Sequence, residues 1–222
     1  MSEQAGHWQS PTPAGRLLAE FGLVWEDVRD RVLVRAHNLA RPFNSISYPP
    51  GSYGQMRYME GVRLLTELLR PKGWTANRED QVCRLISPSR DRALVLQIGD
   101  PATGTTTADF GRDPRTKYPK GEALRRAILH NQPLLPLWDD EPETGQVEGH
   151  VERLQTWFLL TRVDRFGLKS ELSLPNSTNS SGYVDAWRDR ILFPTLEVDI
   201  ETLQDFGQFD DGDDIDIPVD PK

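Results

Sequence analysis

Cysteine is almost absent from this chain: Cys83 is the only one among 222 residues. No intrachain disulfide can form, and no thiolate-rich zinc site can be built. Histidine is scarce as well. His7, His37, His130 and His150 are scattered, with no pair at helical i,i+4 spacing, and each reads as a surface or capping residue. There is no run of about 18 apolar residues, the length a membrane-spanning helix requires. The first residues, Met1 to Gly15, lack the basic stretch and apolar run of a secretory signal. The nucleophile elbow G-x-S-x-G and the zinc helix H-E-x-x-H are also missing. These absences predict a cytoplasmic protein with no membrane association, no cofactor and no bound metal.

Charge is present but unevenly placed. The chain carries 34 acids and 26 bases, a formal charge of −8. Ten of the acids and only one base fall in residues 197–222, so that segment is −9 and residues 1–196 are +1. The acidic balance therefore belongs to the C-terminal end. Hydrophobic content is 37%, but six Trp and eight Phe supply large apolar surfaces. A core surrounded by substantial loop is expected.

Periodicity predicts the elements. Leu17, Leu18, Phe21, Val24, Trp25, Val28 and Val32 recur at three- and four-residue steps, with Gly22 as a divider and Pro42 as a stop. A second helix is predicted over 55–69, ended by Pro71 and Gly73. Residues 82–86 and 93–98 read as a hairpin, and the consecutive apolar run Ala93-Leu94-Val95-Leu96 marks a central strand buried on both faces. A short helix is expected over 122–131. A second hairpin is expected from 154–163 and 168–174, with Leu168, Leu172 and Leu174 on one face and Lys169, Glu171 and Ser173 on the other. Trp157 and Phe158 should serve opposite faces of their strand. Cys83 reads as buried strand packing, residues 175–182 as a polar loop, 139–149 as an acidic surface loop and 191–198 as a last strand. The fold class is α+β: N-terminal helices packed on a mostly antiparallel sheet built from hairpins, with long loops. The expected division is a flexible segment over 1–13, a single α+β domain over 14–198 and an acidic disordered tail over 199–222.

Four groups of residues carry candidate chemistry. Residues 99–107 place Gly99, Gly104 and a run of threonines beyond the central strand, where backbone N–H groups can cradle phosphate, although the Lys-Ser/Thr ending of a P-loop is missing. The basic stretch Arg112, Arg115, Lys117, Lys120, Arg125 and Arg126, with Tyr118 among them, is +4 after Asp113 and Glu122 are counted. Cations beside an aromatic suit a phosphate backbone and a stacked base. Asp100, Glu171 and Lys169 are candidates for a catalytic group holding a hard cation at a phosphodiester. Alternatively, Lys169 and Glu171 form an ion pair on the solvent face of an amphipathic strand.

The fourth group is the tail, where Phe206, Phe209, Asp213, Asp214, Ile215 and Ile217 alternate acids with apolar anchors suited to a basic, apolar-lined groove. Asp214-Ile215-Asp216-Ile217-Pro218 resembles the acidic tip of bacterial single-stranded DNA-binding proteins. Val219 stands where that tip has Phe, and Asp220-Pro221-Lys222 extends beyond it. The resemblance implies a protein partner for the tail.

The expectation drawn from these groups is a non-catalytic accessory protein. Its basic loop would contact a nucleic acid or an acidic protein partner, modulated by its acidic tail. The alternatives are a metal-dependent phosphodiesterase using Asp100, Glu171 and Lys169, and a protein–protein adaptor or complex subunit.

Overall fold

The computed structural model describes residues 13–78, 82–132 and 154–199. The lead-in 1–12, the acidic stretch 139–149, the tail anchors from Phe206 to Ile217, His7 and His150 lie outside the described residues.

Six strands form one mixed sheet in chain order: β1 (Thr75–Asn77), β2 (Arg84–Ile86), β3 (Arg92–Ile98), β4 (Gln155–Asp164), β5 (Gly167–Thr178) and β6 (Val184–Leu192). Every neighbouring pair is antiparallel except β3 and β4, which run parallel from Arg92↔Gln155 to Ile98↔Thr161. The fold class expected from the sequence holds, and both expected hairpins are present.

The two central strands are buried on both faces, which is why they read as nearly continuous apolar runs. On one face Leu94, Leu96, Trp157, Leu159, Leu172 and Leu174 meet the N-terminal helices. These are α1 (Pro13–Glu20), α2 (Trp25–Asp27), a π-helical turn (Val28–Leu33), α3 (Val34–Ala40) and α4 (Ser52–Leu69), while a short α5 (Thr107–Phe110) follows β3 in the chain. On the other face Val95, Phe158, Leu160 and Val184 meet Leu124, Ala127 and Ile128 of α6 (Glu122–Leu129). Trp157 and Phe158 do part to opposite faces. Gly22, with φ of 66°, makes the break between α1 and α2 in a conformation that glycine alone adopts readily.

Several local expectations differ from the structure. Strand β5 continues through Pro175 to Thr178, where a loop is expected, and its ladder with β6 is irregular between Leu174 and Thr178. Pro175 has no N–H to donate, so the pairing shifts register to pass it. The last strand is Val184–Leu192. Residues 193–199 instead run beside the sheet, where Phe193 stacks on Trp25 at 4.4 Å and Leu196 bridges Leu168. Its charged residues masked β6 in the sequence, since an edge strand needs only one covered face. Cys83 precedes β2 and is half-buried.

Helix α4 lies close on β3 at Gly61. A Cβ there would sit 2.9 Å from Leu96 Cδ1. Leu64, Leu65 and Leu68 continue this sheet-facing side, and Arg57, one turn before Gly61, begins it. Replacing Gly61 by Leu should therefore overpack the α4–β3 seam. The expected cost is about 1–3 kcal/mol despite a gain of about 1 kcal/mol in helix propensity. Urea unfolding of the variant beside the native chain checks this.

Candidate functional site

The three carboxylate and lysine candidates enter separate structural pairs. Glu171 is fully buried on β5, where the alternative reading had it on a solvent face. Its Oε1 accepts from Ser173 Oγ (2.7 Å) and Arg190 Nε (3.1 Å), and its Oε2 accepts from Gly104 N (2.9 Å) and Arg190 Nη2 (2.7 Å). Four donors on two oxygens leave little capacity for a cation. Gly104, with φ of 71°, lies so close to β5 that a Cβ would sit 2.9 Å from Lys169 Cβ. This close approach lays the Gly/Thr loop over Glu171 and buries it.

Asp100 accepts from Ala102 N (3.0 Å) and pairs with Arg112 (2.6 Å). Lys169 pairs with Asp164 (3.0 Å) across the β4–β5 hairpin. Among the described residues no hydrogen bond or ion pair joins Asp100, Glu171 and Lys169 to one another, and no cluster of metal-ligating side chains is found.

Arg190 reaches from β6 to Glu171, to Asp113 (2.9 Å) and to the Thr105 carbonyl (2.9 Å), clamping the 99–113 loop to the sheet. Arg190→Met would leave the Glu171 carboxylate buried without its charge partner. The expected loss is about 3–5 kcal/mol in chemical unfolding.

A cavity of about 640 Å³ opens elsewhere, where the carboxyl ends of β3 and β4 meet the start of α4. Three cations line it (Arg57 from α4, Arg162 from β4 and Lys117 from the basic stretch) together with Tyr53, Tyr58 and Tyr118. Among the described residues no Asp or Glu lines it.

Arg57 is the most constrained of these groups. It is 7% exposed, its Nη1 donates to Thr161 Oγ1 at 3.0 Å, and its Nε has no hydrogen-bond partner among the described residues. Burial pushes its pKa down, Tyr53 opposes the shift and Arg162 adds to it. No carboxylate among the described residues offsets its charge. The start of α4 adds to the positive field. Gly51 precedes it in the left-handed conformation with no side-chain cap, so the first-turn N–H groups at Tyr53 and Gly54 have no acceptor within the helix.

A hydrogen-bonded chain stands behind this wall. Tyr53 Oη donates to His37 Nδ1 (2.8 Å), and His37 Nε2 donates to the Asp199 carbonyl (3.2 Å), which fixes the neutral tautomer. His37, expected at the surface, is fully buried because α3 turns it between α4 and the chain leaving the sheet. Burial lowers its pKa and raises that of Tyr53.

The basic stretch divides. Lys117 and Tyr118 line the cavity. Lys120 stands one step behind, its Nζ donating to Gln97 Oε1 at 2.7 Å, and Gln97 is itself a lining residue. Arg112 serves Asp100, and Arg115 is exposed with its carbonyl accepting from Asp100 N. Arg125 and Arg126 are exposed on α6, which covers the opposite face of the sheet from α4. Sequence reasoning missed Arg57, Arg162 and Tyr58. The one available signal was Arg57 interrupting the apolar face of a helix, where a charge is rarely left without purpose.

Comparison with protein-family models, with curated proteins and with solved structures finds no match to this chain. Among the described residues no helix is long and apolar enough to cross a membrane.

Lys120 gives the site a pH signature. Burial pushes its pKa down to about 8 from the ordinary 10.5. Between those values the unfolded chain binds the extra proton, so the native protein should gain stability as pH rises through that window. Lys120→Met removes this dependence. The variant should melt higher than the native chain at pH 7, and its advantage should shrink towards pH 10, as thermal scans at both pH values would show.

Proposed function

We propose that this is a non-catalytic binding protein for a polyanion, nucleic acid in the first place. Its site is the cavity at the ends of β3 and β4 together with the Lys117–Lys120 rim. The observation that carries this reading is the cavity wall: Arg57, Lys117 and Arg162 face one space beside a helix N-terminus, with no carboxylate among the lining residues. A buried guanidinium without a counter-ion is costly, and an anion entering the cavity supplies one. Tyrosines beside the cations suit the bases that follow a phosphate backbone. The phosphodiesterase alternative draws no comparable support, because Asp100, Glu171 and Lys169 each serve a separate ion pair.

The acidic segment fits the same reading as a competitor in cis. Asp199, where the described structure ends, pairs with Arg41 and is held through His37 to Tyr53, a wall of the cavity. Eight further acids follow within residues 200–222. The acidic chain thus departs from a point close to the cationic wall.

Deleting 200–222 should tighten binding of a single-stranded oligonucleotide, measured by fluorescence anisotropy. It should also steepen the dependence of log affinity on log salt, since more counterions are then released per complex. Equal affinity in both chains would remove the competitor role. Absence of binding by both at low salt would remove the polyanion reading itself.

A further inference from the structure

We propose that the cavity recognises a terminal phosphate monoester on a nucleotide or at a nucleic-acid strand end, held by Arg57 and the first turn of α4. The inference rests on the polyanion reading above and sharpens it from a backbone to an end.

Depth is the first argument. Arg57 is 7% exposed on the sheet-facing side of α4, with its Nη1 committed to Thr161 of β4 and its Nε unpartnered. It therefore lines the cavity from a buried position, on the wall against β4. A phosphate in the middle of a strand carries a nucleoside on both sides, and reaching that wall would require the strand to pass in and out again. A terminal phosphate enters alone, with its nucleoside trailing behind.

Charge is the second argument. A phosphate monoester carries about −1.5 to −2 at neutral pH and presents three acceptor oxygens. A backbone diester carries a single charge and two free oxygens. The cavity offers three cationic side chains and the N–H groups of Tyr53 and Gly54 at an uncapped helix start. This donor set matches the monoester better than the diester.

Size and lining are the third. A volume of about 640 Å³ suits one nucleotide-sized ligand rather than a length of strand. Tyr58 and Tyr118 line the cavity, and Tyr118, 56% exposed with Lys117 Nζ 5.6 Å from its ring centre on one side, leaves its other side for the first base at the mouth.

The test compares one short single-stranded oligonucleotide carrying a 5′-phosphate, a 3′-phosphate or only hydroxyl ends, bound to the full chain and read by anisotropy. One phosphorylated form should bind about tenfold or more tightly than the hydroxyl form, as expected for charge-assisted hydrogen bonds. Arg57→Gln should collapse that ratio towards one, weakening the phosphorylated form far more than the hydroxyl form. Lys117→Gln, at an exposed position, should lower the ratio partway. The comparison in the native protein does not depend on either variant folding.

Adenosine 5′-monophosphate, added as competitor, separates the two sources. Displacement at a concentration near its own Kd identifies a free nucleotide as sufficient, and failure to displace identifies the strand end; both support the monoester if the ratio is present. Equal binding of all three oligonucleotides overturns this inference and leaves the polyanion reading intact. No binding of any of them overturns both.

Discussion

The parallel pairing of β3 with β4 is the constraint on which the rest of the molecule depends. It sets the carboxyl ends of two central strands side by side, so Ile98 and Thr161 are register partners and the chain leaves both strands at one end of the sheet. It also requires a connection long enough to return to the starting end, and α6 lies on that connection, covering the face that α4 leaves open. Helix α4 approaches from the other face through Gly61, and its first turn overhangs the paired strand ends. The cavity is the space between these pieces.

Within that frame two arginines, Arg57 buried and Arg190 half-buried, have opposite roles. Arg190 is matched: it meets Glu171, Asp113 and the Thr105 carbonyl, and it fixes the loop that follows β3. Arg57 is unmatched: one hydroxyl accepts from it, and no carboxylate among the described residues balances it. A matched charge in a core closes a structure, and an unmatched one beside a cavity is an incomplete interaction. On the reading proposed above, the missing partner is a bound anion.

Much of the architecture was legible in the sequence because its signals were local. The apolar run from Ala93 to Leu96, the turn between β4 and β5 and the break at Gly22 each follow from the spacing of a few residues. The parallel register was not legible, since the long connection from β3 to β4 hides which strands become neighbours. Glu171 looked like a solvent-face residue because alternation along β5 cannot report that the Gly104 loop folds over it. Lys117 and Tyr118 were found as a basic-aromatic pair, but Arg57 and Arg162 lie far from them in the chain. Only the packing of α4 and β4 brings all four to one cavity. The same holds for His37, whose burial depends on the chain returning as far as Asp199.

The most direct measurement is the unfolding free energy of Arg57→Met in buffer free of multivalent anions, beside the native chain. If Arg57 is kept for a ligand, replacing its buried, uncompensated charge by an apolar side chain of similar length leaves stability unchanged or raises it by about 1–4 kcal/mol. A loss of about 3 kcal/mol or more would show that Arg57 holds the fold together by itself and would contradict the account.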